Sequence, residues 1–311
     1  MKCLHPIRIQ NDTAELFRKY NSSYRDVPCG KCEACIDNKR KEWLIRIKEE
    51  AECSYNSQFV TLTYDEASLP RNSLGFATFC KRDVQLMLKR LRFDLDKLQE
   101  NHPFPLKLRY FIIGEYGSKF GRPHYHGLFF NIPKDYDLYR ALHKFWPCGR
   151  ISVSPVNQNR IGYVANYMYG KSEFMPDWCT DETNRLPMMS SRRPGIGANY
   201  VNFLTSSWHA TNLKTYYQDG KFKYSLPRFW KDKIFNDEQK RIIFQQNQQR
   251  LKESKLKEIA EEIEYYQKTK GKATPLYVQR REEFLRKFYN RVKKHANNNK
   301  AKHNTLEYEY L

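Results

Sequence analysis

Two histidines and one glutamate are the residues whose types and spacing most directly predict chemistry. His124 and His126 stand two residues apart in the apolar segment HYHGLFFNI, and Glu115 ends the apolar segment before it. Side chains at this spacing on a strand point to the same face, so both imidazoles can bind one metal ion. With Glu115 beside them in a hairpin, they would form a facial site of two imidazoles and one carboxylate, open to water or a phosphate oxygen. Two surface histidines on a strand are the alternative interpretation.

Two tyrosines form the second candidate site. Tyr163 and Tyr167 are four residues apart in GYVANY, so on a helix their phenols share one face. A phenol with a pKa of about 10 is a poor nucleophile, but a metal that polarises a target phosphate makes its attack feasible. Because the chain contains 22 tyrosines, a chance pair packed in the core is the alternative.

Four cysteines near the N-terminus form a candidate structural metal site. Cys29, Cys32 and Cys35 follow one another at intervals of three, and Cys3 can complete a tetrahedral four-thiolate zinc site. An iron–sulfur cluster, or free thiols in a loop, would fit the same spacing. The other four of the eight cysteines are scattered singly, which is typical of a reducing compartment and not of a secreted disulfide framework.

Length and charge restrict the class of protein. The 311 residues suffice for one large domain or two small ones, and 40% hydrophobic residues exclude global disorder. A net charge of +20 with 15% aromatic residues favours a polyanion binder, in which cations meet phosphates and rings stack on unpaired bases. A merely basic surface is the alternative. The chain has neither an apolar run of membrane-spanning length nor a signal-peptide pattern, so we expect a soluble, cytoplasmic protein without membrane partners.

The apolar pattern predicts an α+β fold with a central antiparallel sheet and flanking helices. Helices are expected at 36–52, around 84–95, at 137–146 and at 158–171, and strands at 59–64, 108–115, 124–132 and 150–156. The strands 108–115 and 124–132 should form a hairpin with a long turn. This order suits an antiparallel sheet with its helices packed on one side.

We predict four segments along the chain. They are a Cys-rich segment with a helix at 1–55, a core at 56–172, an irregular Pro- and Gly-rich extension at 173–235, and a basic helical region at 236–311. In the extension we expect a further strand pair, and in the last segment two helices, at 236–268 and 277–295. This last pair is most simply a solvated helical pair; an arm that clamps DNA is the alternative.

Several motifs together resemble a known family. GEYG at 114–117, RPHYHGLFF at 122–130 and GYVANY at 162–167 resemble, in order and spacing, the HUH endonuclease signature of rolling-circle replication initiators. PCGKCEAC, SRRPGIG and LPRFWKDKIF resemble more narrowly the replication initiation proteins of gokushovirus-type microviruses, which are bacteriophages with single-stranded DNA. The resemblance covers about residues 1–235.

The resemblance implies a role for each candidate residue. It implies a central antiparallel sheet that carries His124 and His126 as metal ligands, with Glu115 as the third ligand. A facing helix would carry Tyr163 and Tyr167 as nucleophiles, and FVTLTY at 59–64 would be a structural strand. These initiators commonly have a lysine where this chain has Asn166, and Lys171, one turn past Tyr167, is a candidate phosphate contact in its place.

The resemblance also implies a reaction. With Mg²⁺ or Mn²⁺ at the histidines, Tyr163 would attack single-stranded origin DNA, leaving a 5′-phosphotyrosine link and a free 3′-hydroxyl for a host polymerase. Tyr167 would later cut the regenerated origin so that the product circle is rejoined. The bond energy is kept in the protein–DNA link, so no nucleotide cofactor is expected, and a host helicase would supply unwinding.

Three other functions fit parts of the sequence. Residues 165–172 satisfy a relaxed phosphate-loop pattern, but Tyr and Met in a helical context argue against an ATPase. A non-enzymatic nucleic-acid-binding protein with a zinc knuckle would use the basic surface alone. A zinc hydrolase that uses His124, His126 and Glu115 would activate water and leave no covalent adduct.

Overall fold

The computed structural model describes residues 3–10, 24–99, 107–117, 121–167, 186–270 and 272–308, the last with side chains up to 294. The chain forms two compact units. The helical unit combines 1–39 with 201–293, and the sheet unit combines 40–200 with 294–311. Each unit therefore joins pieces that are far apart in sequence. The predicted boundaries of the four segments stay a prediction, and Lys171 lies outside the described residues.

The helices and strands follow the chain in a mixed order. The strands are β1 (Ile7–Gln10), β2 (Tyr24–Val27), β3 (Ser57–Thr63), β4 (Arg109–Tyr116), β5 (Pro123–Phe130), β6 (Ile151–Pro155), β7 (Met188–Ser190), β8 (Tyr216–Asp219) and β9 (Phe222–Ser225). The helices are α1 (Glu33–Glu52), α2 (Lys81–Leu98), α3 (Leu138–Phe145), α4 (Gln158–Asn166), α5 (Phe203–Asn212), α6 (Arg228–Ile234), α7 (Asp237–Thr269) and α8 (Leu276–Tyr308). The α+β class is as predicted.

A five-stranded sheet forms the centre of the sheet unit. Its strand order is β6-β3-β5-β4-β7, and every neighbouring pair is antiparallel. The predicted hairpin is confirmed as β4 and β5, and their register pairs Glu115 with His124 and Ile113 with His126. The central strand β5 is buried at seven of its eight positions, which requires covered faces on both sides of the sheet.

Helices do cover both faces, so the expectation that they pack on one side was wrong. On one face, α2 and α3 bury a cluster around Leu91, Leu142 and Phe129. On the other face, Ile47 of α1 and Val164 of α4 pack with alternate sheet residues. The helical pattern of α1 and α4 shows an apolar stripe but not which face of the sheet receives it, because that choice depends on the paths of the loops.

Local signals account for the positions of the shorter helices. The Asp137 side chain accepts a hydrogen bond from the Arg140 backbone N–H at the start of α3, and Asn157 does the same for Arg160 at the start of α4. Side-chain oxygens at these positions satisfy N–H groups that have no partner within the helix. Helix α4 therefore starts at a defined residue, which determines where its two tyrosines face.

The helical unit contains the predicted further strand pair and the two long C-terminal helices. Strands β8 and β9 form an antiparallel hairpin. Helix α7 starts in a reciprocal capping arrangement between Asn236 and Gln239. Helix α8 runs further than the predicted 277–295. Within the described residues, no helix is both long enough and apolar enough to cross a membrane.

Candidate functional site

Three neighbouring strands bring the predicted metal ligands to one face of the sheet. In the β4–β5 register Glu115 stands directly opposite His124, and on the other side of β5 the partners of His124 and His126 are Thr63 and Thr61. Alternate residues of a strand face the same way, so these side chains project from one face. That face is also the one against which α4 packs.

His126 and Glu115 are in direct contact. Nε2 of His126 lies 2.7 Å from Oε2 of Glu115, and both side chains are buried. On the other edge of each imidazole a threonine hydroxyl holds Nδ1, at 3.1 Å for Thr61 and His126 and 3.0 Å for Thr63 and His124. A hydroxyl can donate or accept, so it can hold Nδ1 in either tautomer of the ring.

Both predicted tyrosines lie over this pair. Tyr167, the last residue of the α4 turn, stacks on the His126 ring with centroids 5.5 Å apart, and Tyr163 meets the same ring edge-on at 5.4 Å. The Tyr167 hydroxyl contacts both Oε2 of Glu115 and the Tyr163 hydroxyl. Because Tyr167 has one proton to donate, a bond from Tyr167 to Glu115 leaves Tyr163 as the donor to Tyr167. The result is a chain of contacts from Tyr163 through Tyr167 and Glu115 to His126.

Burial and charge set the protonation of this chain. Burial and the Glu115 carboxylate raise the pKa of both tyrosines well above the ordinary value. Burial alone would also raise the pKa of Glu115, but its contacts with His126, Tyr167 and the His124 charge outweigh this and lower it. At neutral pH Glu115 is therefore ionised and both phenols are protonated.

The structure brings the predicted ligands together in part. Among the described residues, Cys3, Cys29, Cys32 and Cys35 are the group of three or more possible ligands whose donor atoms all lie within 4.8 Å of one another. The donors of His124, His126 and Glu115 do not meet that limit as a trio, although His126 and Glu115 touch. A divalent ion at this site would replace the His126–Glu115 hydrogen bond. The anchored Nδ1 atoms leave Nε2 of each histidine as the ligand atom, which is the arrangement typical of metal-binding histidines.

Some residues of the site were missed in the sequence. Thr61 and Thr63 alternate in FVTLTY, a spacing that could have indicated a polar face on that strand. Gly117 lies beside His124: a Cβ at this position would stand 2.8 Å from Nε2 of His124. Arg40 of α1 donates a hydrogen bond to Oδ1 of Asn166 over 3.3 Å, so this cation contacts the position where the resembled family has lysine.

The four predicted cysteines converge in the helical unit. The Sγ atom of Cys3 lies 3.5 Å from that of Cys29 and 3.7 Å from that of Cys32, and Cys29 lies 4.0 Å from Cys35. Sulfur atoms at the corners of a zinc tetrahedron with bonds of about 2.3 Å stand about 3.8 Å apart. The thiol cluster therefore has the dimensions of a four-cysteine zinc site.

Backbone N–H groups favour thiolates in this cluster. The N–H groups of Leu4, Cys29 and Cys32 point at the Sγ atoms of Cys32, Cys3 and Cys29. Burial disfavours a charged Cys32, but hydrogen bonds from backbone and neighbouring thiols lower its pKa to about 6. Burial and the other thiols raise the pKa of Cys35 to about 12. Without a cation the cluster carries only part of its possible charge, and a bound cation would allow all four thiols to ionise.

Comparison with known proteins agrees with the site motifs. Residues 57–172 match a family of replication-associated proteins, that of the phage protein ORF2. The predicted resemblance to replication proteins of small phages is confirmed. The matched segment, residues 57–172, includes β3 to β6 and α4, and thus both histidines, Glu115 and both tyrosines.

Individual relatives extend the match beyond residues 57–172. The chain is 28% identical over 198 residues to the replication-associated protein ORF2 of Spiroplasma virus 4 and 30% identical over 187 residues to the replication-associated protein VP4 of Bdellovibrio phage phiMH2K. Each match covers 54% of this chain, and 60% and 57% of the relatives. The replication-associated protein ORF4 of Chlamydia phage 1 is 25% identical over 223 residues, which is 66% of this chain and 53% of the relative. The chain thus spans less than two thirds of each relative. No solved structure matches it significantly.

Proposed function

We propose that this chain is a phage DNA replication initiator that nicks single-stranded origin DNA by tyrosine transesterification and later rejoins the circle. The observation that carries the proposal is the Tyr167 hydroxyl, which touches Tyr163 and Glu115 above the His126 ring. A pair of phenols packed as ordinary core would not need to meet a buried carboxylate and an imidazole. The names of the relatives support the role in replication.

In this proposal Tyr163 is the first nucleophile. Tyr163 is half-buried, whereas Tyr167 is 6% exposed, so a phosphate reaches Tyr163 first. The Tyr163 proton can pass to the Tyr167 oxygen while Tyr167 donates to Glu115. Glu115 serves as the acceptor at the end of this chain because it is ionised at neutral pH.

The bond changes balance without a cofactor nucleotide. The Tyr163 oxygen forms a bond to phosphorus, the bond from phosphorus to the 3′ oxygen breaks, and that oxygen takes up a proton. One phosphodiester replaces another, so the 5′-phosphotyrosine link conserves the energy that later closes the circle. A second cleavage by Tyr167 would free the chain for rejoining.

His124, His126 and Glu115 would hold a divalent ion, with Mg²⁺ or Mn²⁺ as the candidates. Hard cations of this kind accept carboxylate and imidazole donors with open positions for a phosphate oxygen. Such an ion supplies Lewis acidity at the scissile phosphate. In the helical unit, Cys3, Cys29, Cys32 and Cys35 would hold a structural Zn²⁺. A host polymerase and helicase remain the proposed partners for extension and unwinding.

The experiment is detection of a covalent protein–DNA adduct. The full chain is incubated with Mn²⁺ and a random-sequence library of single-stranded DNA, labelled at the 3′ end in one sample and at the 5′ end in another. The proposal predicts a denaturation-resistant adduct that carries the 3′ label and not the 5′ label. It also predicts that omission of divalent ion abolishes the adduct.

Variants separate this reaction from its rivals. Tyr163→Phe with Tyr167→Phe should lose the adduct and keep DNA binding, whereas Tyr139→Phe, an exposed phenol on α3, should keep both. Cleavage without an adduct would indicate a hydrolase that uses water. Binding without cleavage or adduct in the wild type would contradict the proposal and leave a non-enzymatic DNA-binding protein.

A further inference from the structure

A basic cavity lies on the sheet unit away from the tyrosines. It has a volume of about 560 Å³ and lies between α2, the start of β4 and the segment after β7, within the roughly 300–1,000 Å³ of ordinary ligand sites. Tyr110 lines it and packs with the α2 side of the sheet, whereas the next residue, Phe111, packs with the α4 side. The cavity and the candidate active site therefore lie on opposite faces of one sheet.

The lining of this cavity carries positive charge. Four exposed cations line it, and no described lining residue is acidic; the four are Arg92, Lys107, Arg192 and Arg193. Arg109 also lines it, but its buried guanidinium is paired with the Glu50 carboxylate, so its charge is already neutralised. Tyr110 supplies a half-buried ring at the same place, and the Arg92 guanidinium lies 5.4 Å from the ring centroid.

The arginine-bearing segment is held in place by the fold. The Ser191 N–H donates to the Tyr110 carbonyl over 2.9 Å, which continues the β4–β7 pairing up to Arg192. Beyond it, the Arg109 guanidinium donates to the carbonyls of Pro194 and Gly195, at 2.7 and 3.0 Å. A buried ion pair between α1 and β4 thus fixes the loop that presents two exposed arginines, so these cations belong to a built surface and not to a free tail.

We propose that this cavity, the basic groove, binds the sugar–phosphate backbone of single-stranded DNA outside the cleaved bond. A cationic groove with an aromatic ring is the usual platform for single strands, since phosphates meet the cations and a base can stack on the ring. Tyr110 and Glu115 are five residues apart on β4, which is about 17 Å along a strand. A strand held in the groove would thus be anchored more than one nucleotide from the reacting phosphate. The ligand chemistry rests on the proposed function, but the groove itself does not.

The test measures binding separately from cleavage. Every protein carries Tyr163→Phe and Tyr167→Phe, and binding is followed without divalent ion, by fluorescence anisotropy of labelled single strands of about 30 and about 8 nucleotides, a range that spans common site sizes. The groove variant adds Arg92→Gln, Arg192→Gln and Arg193→Gln. The control variant adds Lys89→Gln, Arg140→Gln and Lys144→Gln, which are exposed, lie in the same unit and line neither this cavity nor the active site.

Both variants have the same net charge, so a difference between them reports on position. For the 30-mer, the groove variant should bind roughly tenfold more weakly at about 0.1 M salt, and its slope of log K against log salt should fall by about 2, since each phosphate contact of a single strand contributes about 0.7. The 8-mer should be affected less. Equal weakening by both variants, with unfolding midpoints equal to the parent's, would overturn the proposal.

Competitors distinguish a DNA strand from a free phosphate compound. Deoxyadenosine monophosphate and inorganic phosphate, each at millimolar concentration, should leave the 30-mer bound. Displacement of the 30-mer by either compound from the parent but not from the groove variant would overturn the strand proposal in favour of a nucleotide or phosphate pocket. Failure of the adduct experiment alongside a groove-specific loss of 30-mer binding would refute nicking and keep the groove, and the reverse pattern would refute only the groove.

Discussion

At the residue scale, the threonines of β3 make a specific contribution to the candidate metal site. The Thr61 hydroxyl holds Nδ1 of His126, and it can donate when His126 faces Glu115 through Nε2–H and accept when Nε2 is a ligand. Thr61→Val keeps the shape and removes this bond, so Mn²⁺ affinity should fall about 10- to 100-fold. Thr61→Ser should retain most of it. Titration calorimetry with Mn²⁺ measures both, and equal affinity in the valine variant would show that the hydroxyl does not position the ligand.

Gly117 tests the position of His124 separately. A Cβ at Gly117 would stand 2.8 Å from Nε2 of His124, so Gly117→Ala must displace the imidazole. We expect weaker Mn²⁺ binding and a slower adduct reaction, each by at least about tenfold if His124 is a ligand. The matched control is Gly162→Ala on α4, where an added Cβ meets nothing within 4 Å and should stabilise the helix by about 0.5–1 kcal/mol. Unchanged Mn²⁺ affinity in Gly117→Ala would remove His124 from the ligand set.

At the element scale, the thiol cluster joins the start of α1 to α8. Phe284 of α8 packs on the cluster, the Tyr289 hydroxyl donates to Glu33 over 2.8 Å, and Arg291 pairs with the buried Asp37 at 3.3 Å. Structural zinc contributes about 10 kcal/mol or more of apparent binding free energy in small domains. Loss of the ion should therefore release this contact between elements.

The corresponding prediction concerns Cys32→Ser. Elemental analysis should find one zinc per wild-type chain and much less in the variant, and amide hydrogens at the start of α1 and in 280–293 should exchange faster, because the packing of α8 depends on the cluster. Cys53→Ser, which changes an exposed thiol outside the cluster, should change neither. A wild-type chain that is free of metal yet fully protected would contradict a structural zinc site.

The sequence predicts the parts of the fold that depend on local patterns. The hairpin of β4 and β5 follows from two apolar runs around a turn-rich loop, and the shared face of Tyr163 and Tyr167 follows from helical spacing, so the four principal site elements were recognisable. The face of the sheet on which each helix packs was not. It is decided by loop paths and by tertiary burial, which leave no periodic signal.

The same limit explains the residues that were missed. Thr61 and Thr63 meet the histidines because β3 pairs with β5 across about 60 residues, and only that register brings them into contact. Arg40 reaches Asn166 from a different helix. Motif spacing identifies residues that lie close in sequence, whereas neighbours that orient a ligand come from strands and helices far along the chain. The resemblance supplied the roles of the tyrosines, and the structure adds the contacts between them.

At the scale of the whole molecule, net charge alone does not identify the function. A chain with a charge of +20 attracts any nucleic acid through its phosphates, and this attraction weakens as salt rises. The nicking enzyme and the non-enzymatic DNA-binding protein therefore share strong, salt-sensitive DNA binding. They differ in whether a protein side chain becomes bonded to DNA, which makes the bonded residue the decisive quantity.

The most direct measurement is the identity of that residue. The adduct formed with Mn²⁺ is digested with nuclease and protease, and the nucleotide-bearing peptide is sequenced by tandem mass spectrometry. The account predicts a nucleotide joined through its 5′ phosphate to Tyr163, with Tyr167 carrying it when Tyr163 is changed to phenylalanine. A nucleotide on any residue outside this pair, or one attached through a 3′ phosphate, would contradict the account.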